Sequence, residues 1–199
     1  FQQTTRYTYI IPDLIDLDLV WQNFRSNIKT DVRKAQKYLS VRSDLPLDTL
    51  MNLVEKTFQR QKKSLPYHRE LVIRLDHACG EHNCRKMFFA VDTLNQVHAA
   101  VYVVWDENSA YYLMGGADPD LRNSGATSLC LWSAIQFAAT VTQTFDFEGS
   151  MIEPVERFFR AFGALQIPYF QINKVNSLPI MLIQNLRVWK QLRKRGRRI

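Results

Sequence analysis

Three strand-like runs, Arg85 to Asp92, Gln96 to Asp106 and Ser109 to Gly116, follow one another with only Asp92-Thr-Leu-Asn95 and Asp106-Glu-Asn108 between them. The runs carry strand-favouring residues, Phe88, Phe89 and Val91 in the first, Val101 to Trp105 in the second and Tyr111 and Tyr112 in the third, and each gap holds Asp and Asn, the residues that close tight turns. Connections this short join only antiparallel neighbours, because a parallel crossover needs a dozen residues or more. The middle of the chain is therefore expected to be a β-meander, and any fold must be built around it.

Helical patterns flank the meander. From Leu19 to Tyr38 the spacing predicts one helix ending in a basic stretch, and Leu39 to Asp44 reads as a short strand after it. Leu50, Leu53, Val54, Thr57 and Phe58 recur at three and four residues, which predicts a helix over 47–61, and a second follows over 68–78. Beyond the meander, 125–141 reads as a long apolar helix, 144–148 as a strand, and 154–162 as a helix with Pro near its start and Gly163 at its end. Residues 167–175 read as a strand and 178–194 as an amphipathic helix, while Thr4 to Ile11 alternates as a strand at the other end. From Leu39 the order is β-α-α-β-β-β-α-β-α-β, a mixed α/β class with helices on both faces of one sheet. Residues 39–199 are expected to form the domain, and residues 1–38 the end of a preceding one or a linker carrying the basic helix.

Composition narrows the function classes. The chain has 199 residues and 46% hydrophobic content, enough for a sizeable core. Its 3 cysteines are too few to staple it, which predicts a reducing, cytoplasmic setting. No apolar run reaches the roughly 18 to 20 residues of a membrane span. The sequence opens on Phe1 without a basic and apolar leader and reads as a fragment of something longer. The net charge of +7 is concentrated: residues 190–199 hold Lys190, Arg193, Lys194, Arg195, Arg197 and Arg198 and no acid. That tail offers a salt-sensitive peripheral contact to RNA phosphates or lipid headgroups.

Two segments carry candidate chemistry. In the first, Arg122-Asn123-Ser124-Gly125-Ala126 leads from a strand end into a helix start, where free N–H groups and the helix dipole favour a phosphate. Ser124 serves equally as an ordinary N-cap there. In the second, Phe145-Asp146-Phe147-Glu148, strand alternation puts Asp146 and Glu148 on one face and the two Phe on the other. Two carboxylates so close call for a cation, a hydrogen-bond donor or a catalytic task. One of them could instead cap the loop or pair with Arg157 or Arg160. His77, Cys79, His82 and Cys84 offer zinc donors at a spacing that fits no common finger, so no metal is expected. Cys130, inside an apolar helix, reads as core. P-loop, nucleophile-elbow and dinucleotide motifs do not occur.

Taken together, the basic helix RSNIKTDVRKAQKYLSV, the strand AYYLMGGAD, the apolar helix after Gly125, and FDFEGSMIEPVERFFRAFGA followed by PYFQINKV resemble the FemAB-type branch of the GNAT acyltransferase superfamily, over 27–175. That branch includes bacterial peptidoglycan aminoacyltransferases, some called methicillin-resistance factors. The resemblance implies a GNAT fold whose fourth and fifth strands splay apart around the donor. It implies an N-acyltransferase, passing an acyl or aminoacyl group from coenzyme A or aminoacyl-tRNA to an amine on a cell-wall or exopolysaccharide precursor. No tightly bound cofactor is implied. Leu113, Met114 and Gly115 would hold the donor carbonyl and Arg122, Asn123, Ser124, Gly125 and Ala126 its phosphates. Asp146 and Glu148 would be catalytic. Arg33, Lys34 and Lys37 would bind the acceptor or another polyanion. Thr127 stands where the family's phosphate loop ends in a small residue, and Phe158, Phe159 and Phe162 stand where many relatives place a Tyr. These departures motivate the alternative, a GNAT-like module that holds RNA or a protein without catalysis.

Overall fold

The computed structural model describes residues 1–177. In chain order its elements are β1 (Gln2–Ile11), α1 (Leu17–Asn23), α2 (Ser26–Ala35), β2 (Ser40–Arg42), α3 (Leu47–Arg60), α4 (Arg69–Glu81), β3 (Arg85–Val91), β4 (Val97–Trp105), β5 (Ser109–Ala117), α5 (Ala126–Ala138), β6 (Thr144–Asp146), α6 (Glu153–Arg160) and β7 (Leu165–Asn173). The expected order from residue 39 onward is the observed one. The helix expected over 178–194 and the basic tail lie outside the described residues.

The meander forms because its turns close themselves. Asp92 Oδ1 accepts the N–H groups of Leu94 (2.9 Å) and Gln96 (2.8 Å), and Asp106 Oδ1 accepts those of Asn108 and Ser109, both at 2.8 Å. These local bonds set the register of β3 against β4 and of β4 against β5. One seven-stranded sheet results, in the order β2-β3-β4-β5-β6-β1-β7. Residues 7–167 make up its main compact unit, and the outer ends of β1 and β7, residues 1–6 and from 168 on, belong to a second, smaller unit.

Within the main unit the sheet is covered on both faces. On one, α5 is largely apolar and buried along most of its length, with Gln136 exposed, and packs with Ile28 and Val32 of α2, Phe24, and Phe159 and Phe162. On the other, Leu50, Leu53 and Val54 of α3 lie on Phe89, Ala100 and Tyr102. Gly116 permits this second layer: a Cβ there would sit 2.5 Å or less from the Leu53 and Val54 backbone. Cys130 is core as expected; burial pushes its thiol up to about 12.

The single helix expected over 19–38 is two. Phe24 and Arg25 adopt extended backbone angles, and the Arg25 N–H donates to Ala161 O (2.8 Å) instead of continuing the helix. The break turns the Phe24 ring inward onto Trp132 and Phe162, with centroids 5.3 and 5.0 Å away. A contact distant in sequence thus overrides local propensity. The segment 1–38 supplies β1, which lies between β6 and β7 in the sheet order, together with α1 and α2.

Candidate active site

β5 and β6 pair in parallel over only three positions, Ser109 with Thr144, Ala110 with Phe145 and Tyr111 with Asp146. Past that point β5 runs on to Ala117, while the chain after Asp146 keeps to β1: the Phe147 N–H donates to Tyr9 O at 2.9 Å. The two strands therefore diverge and open a gap beside β5. Phe145 and Phe147 drive the departure, since both are buried and their rings meet at 5.0 Å.

The backbone of β5 presents a donor to this gap. The Asp118 N–H bonds to His98 O (2.9 Å), so by the two-residue alternation of an antiparallel ladder Gly116 and Met114 also face β4. Gly115 and Ala117 face the other edge. The Ala117 N–H is taken by Thr57 Oγ1 (3.1 Å), which leaves the N–H of Gly115. A bulge stands next to it, because Tyr102 and Val103 pair with Met114 and Tyr112 and leave Leu113 without a partner. Of the three expected donor-binding residues, Gly115 thus points its amide at the gap, Leu113 makes the bulge and Met114 bonds across to β4.

The bulge also aims a side chain on which the sequence laid no weight. The Tyr112 hydroxyl lies over Gly115, where a Cβ would come within 2.4 Å of it. Its ring meets Phe159 of α6 edge-on at 5.9 Å, so it rests on the aromatic cluster of Phe159 and Phe147. Among the described residues that hydroxyl has no hydrogen-bond partner, and burial raises its pKa, which keeps it a neutral donor. Only the bulge places Tyr112 over Gly115, and nothing in the residue types announces a bulge.

The two carboxylates stand at the end of β6 and just beyond it, Asp146 half-buried and Glu148 exposed. Asp146 ends β6 and its carboxylate accepts from the Thr8 hydroxyl and from the Glu148 N–H, the latter at 2.7 Å. It closes a turn in which Glu148 has φ 62°. Asp146 is thereby engaged within the turn, while Glu148 makes no ion pair among the described residues. The Glu148 carboxyl lies above the usual range, raised by desolvation first and by the Asp146 charge second. Arg157 and Arg160 pair instead with Glu153 and Glu156 inside α6.

The loop before α5 is held from the side of α2. Lys34 Nζ donates to Asn123 O (2.6 Å) and the Tyr38 hydroxyl to Ser124 O (2.9 Å). Gly125 has φ 74°, and a Cβ on it would fall 2.3 Å from Asp31 O. Ser124 Oγ accepts the Ala126 N–H at a long 3.4 Å, and Arg122 Nε turns back to Pro119 O (3.1 Å). Ser124, Ala126 and Ser128 are buried at this helix start. Arg33 lies over the Trp21 ring, 5.6 Å from its centroid, and Lys37 is exposed. Among the described residues no cluster of three or more His, Cys, Asp or Glu is placed to hold a metal.

The family model for the acetyltransferase (GNAT) domain matches residues 22–159. The chain belongs to this family. It is a GNAT acyltransferase domain, and the divergence of β5 and β6 is that of the splayed strands the resemblance led us to expect. Its fold is similar to that of FemX, with a TM-score of 0.73 at 14% identity, covering 84% of this chain and 62% of FemX. The C-terminal domain of a putative lysylphosphatidylglycerol synthetase from Agrobacterium fabrum gives 0.63 at 9% identity, covering 85% of this chain and 60% of that one. The L-PGS of Bacillus licheniformis gives 0.58 at 12%, covering 94% and 66%. The GNAT chain thus spans under two thirds of the length of each. No curated protein matches it, and among the described residues no helix is long and apolar enough to cross a membrane.

Proposed function

We propose that the domain transfers an aminoacyl group from charged tRNA to an amine on a bacterial cell-wall or exopolysaccharide precursor in the cytoplasm. The observation that carries this reading is the gap beside β5 with the Gly115 N–H and the Tyr112 hydroxyl on one wall. An ester carbonyl seated there would have both donors aimed at the oxyanion that develops on attack, the interaction that contributes most in such sites. The amine nitrogen forms the new bond to carbon, Glu148 takes the amine proton, and the carbon–oxygen bond to the ribose breaks as that oxygen gains a proton. Asp146 holds the Glu148 turn. No covalent intermediate on the protein is needed.

Between the two donor types, two contacts favour tRNA over coenzyme A. Thr57 already occupies the Ala117 amide, a main-chain donor that an extended pantetheine arm alongside β5 would use. In addition, α2 covers the first turn of α5, where a pyrophosphate would sit. Lys34 and Lys37 line the approach as cations for tRNA or for a precursor diphosphate, with Arg33 beside them on α2. Residues 1–38 would then adjoin a preceding GNAT-like domain that helps to hold the acceptor.

Incubation with radiolabelled aminoacyl-tRNA, or separately with acetyl-CoA, and an amine-bearing nucleotide precursor tests this. Label should pass to the amine from tRNA and not from the thioester. Transfer from the thioester alone would make coenzyme A the donor. Salt-sensitive tRNA binding without transfer from either would favour the alternative of a GNAT-like module that has lost catalysis, which the covered loop also suits.

A further inference from the structure

Cys79 and Cys84 take no part in the proposed transfer, and the fold sets them side by side. At the end of α4 the Cys84 N–H donates to Cys79 O (3.0 Å) and the Asn83 N–H to Gly80 O (3.1 Å). With Asn83 at φ 52°, residues 79–84 form the left-handed helix cap in which the sixth residue closes on the first and the fifth on the second. In that cap the side chains of the first and sixth residues meet, and an apolar pair commonly fills the two positions. Here both are Cys. The Cys84 thiol donates to Cys79 O at 3.5 Å. Burial first, and then the Cys84 thiol facing it, push the Cys79 thiol above its ordinary value. Both cysteines are free and half-buried, so small reagents reach them, whereas Cys130 is fully buried. The cap asks for an apolar contact and not for sulfur, so packing leaves the chemistry of the pair unused.

We propose that Cys79 and Cys84 are a reversible dithiol–disulfide pair, a site of oxidation by low-molecular-weight disulfides such as oxidised glutathione. A disulfide needs Cα atoms about 4.4–6.8 Å apart, and a main-chain bond between the same two residues keeps them within that reach. The Cys84 thiolate attacks one sulfur of the glutathione disulfide, which releases one glutathione and leaves a mixed disulfide on Cys84. The Cys79 thiolate then attacks the Cys84 sulfur, and the second glutathione leaves. The two cysteines lose two electrons, the glutathione disulfide gains them, and two protons pass from the cysteine thiols to the departing thiolates. Cys79, the harder of its two states to ionise, suits the second step, where its target already lies beside it. In a reducing setting the pair stays open until the surrounding thiol pool is oxidised. Closure adds a covalent tie where α4 meets the sheet, a joint already held by Asp76, which accepts from the Tyr102 hydroxyl (3.0 Å) and lies 3.0 Å from Arg85 Nε.

Equilibrating the full native chain in glutathione buffers of graded composition, then quenching with acid, alkylating and weighing the intact chain, tests the pair. Under oxidising buffers the chain should lose two alkylatable thiols and about 2 Da, carry no glutathione, and recover both thiols in dithiothreitol. Cys79→Ser should stop at a glutathione adduct on Cys84. Cys84→Ser should take up glutathione at least about tenfold more slowly, since the thiol left is the one held protonated. Repeated in urea, where the cap is gone, the equilibrium constant for closure should be at least about tenfold lower, because the thiols are no longer held together. Should either Ser variant fail to fold, the parent chain in native buffer and in urea decides alone. A lasting glutathione adduct on the native parent, thiols that resist oxidation until the chain unfolds, or closure as favourable in urea as in native buffer would overturn the proposal.

Discussion

The hydroxyl of Tyr112 lies directly above the Cα of Gly115, the residue whose amide faces the gap between β5 and β6. If both groups hold the oxyanion, Tyr112→Phe removes one donor and leaves the packing of the ring on Phe159 intact. Transfer should fall roughly 100-fold in kcat/KM, the usual loss for one such donor, with thermal melting followed by circular dichroism almost unmoved. Gly115→Ala should lose activity and stability together, because its Cβ displaces the Tyr112 side chain. An unchanged rate in Tyr112→Phe would take the hydroxyl out of the mechanism.

The order of elements was readable from the sequence because the connections of the meander are too short for any other arrangement, and because Asp92 and Asp106 close their turns with bonds two to four residues away. Asp146 as a turn cap was equally local, one of the roles open to it beside catalysis. What could not be read depends on distant contacts. The break at Phe24 follows from Trp132 and Phe162, and the reach of Lys34 and Tyr38 to the loop at Asn123 and Ser124 follows from the seat of α2 on α5. The bulge at Leu113 decides which amide faces the gap, and no residue type in AYYLMGGAD marks it.

Gly125 is fixed by its backbone and its neighbour at once. Its φ of 74° is a left-handed angle, and Asp31 O would meet a Cβ at 2.3 Å. Gly125→Ala should cost about 2–4 kcal/mol, from the strain of the angle and from pushing α2 off the loop. A chain of this size then melts roughly 5–15 °C lower. Restoration by a second variant, Lys34→Ala, is not expected, since the clash is with main chain and not with the Lys34 side chain. A melting point within a degree of the parent would show that α2 is not seated there.

Two aspartates give the fold an acid limit. The Lys56 ammonium holds the Asp118 carboxyl low, and the Gln96 main-chain N–H followed by His98 does so for Asp92. Because both folded values lie below the unfolded one of about 3.9, the unfolded chain binds more protons as pH falls. The stability they contribute is present above that value and is lost as pH drops through the folded values. Melting temperature should therefore fall between about pH 5 and about pH 2, and Asp92→Asn or Asp118→Asn should flatten that slope while lowering stability at neutral pH. A slope identical to the parent in both variants would place the acid sensitivity elsewhere.

Glu148 should show the opposite sign. Desolvation and the Asp146 charge raise its carboxyl, so ionising it disfavours the folded state. Its contribution to stability is fully present below the unfolded value of about 4.3 and is lost as pH rises through the higher folded value. Glu148→Gln should accordingly melt higher than the parent at neutral pH and no higher at about pH 4. Transfer should move the other way, because the base that takes the amine proton is gone; the rate should fall about 100-fold or more, as for other general bases. Asp146→Asn keeps an acceptor for the Thr8 hydroxyl but removes the charge, so the acid limb of the pH–rate profile should shift to lower pH while Glu148 remains. A Glu148→Gln variant that is both stabilised and fully active would leave the raised carboxyl as a feature of the turn alone, and would remove the base from the proposed reaction.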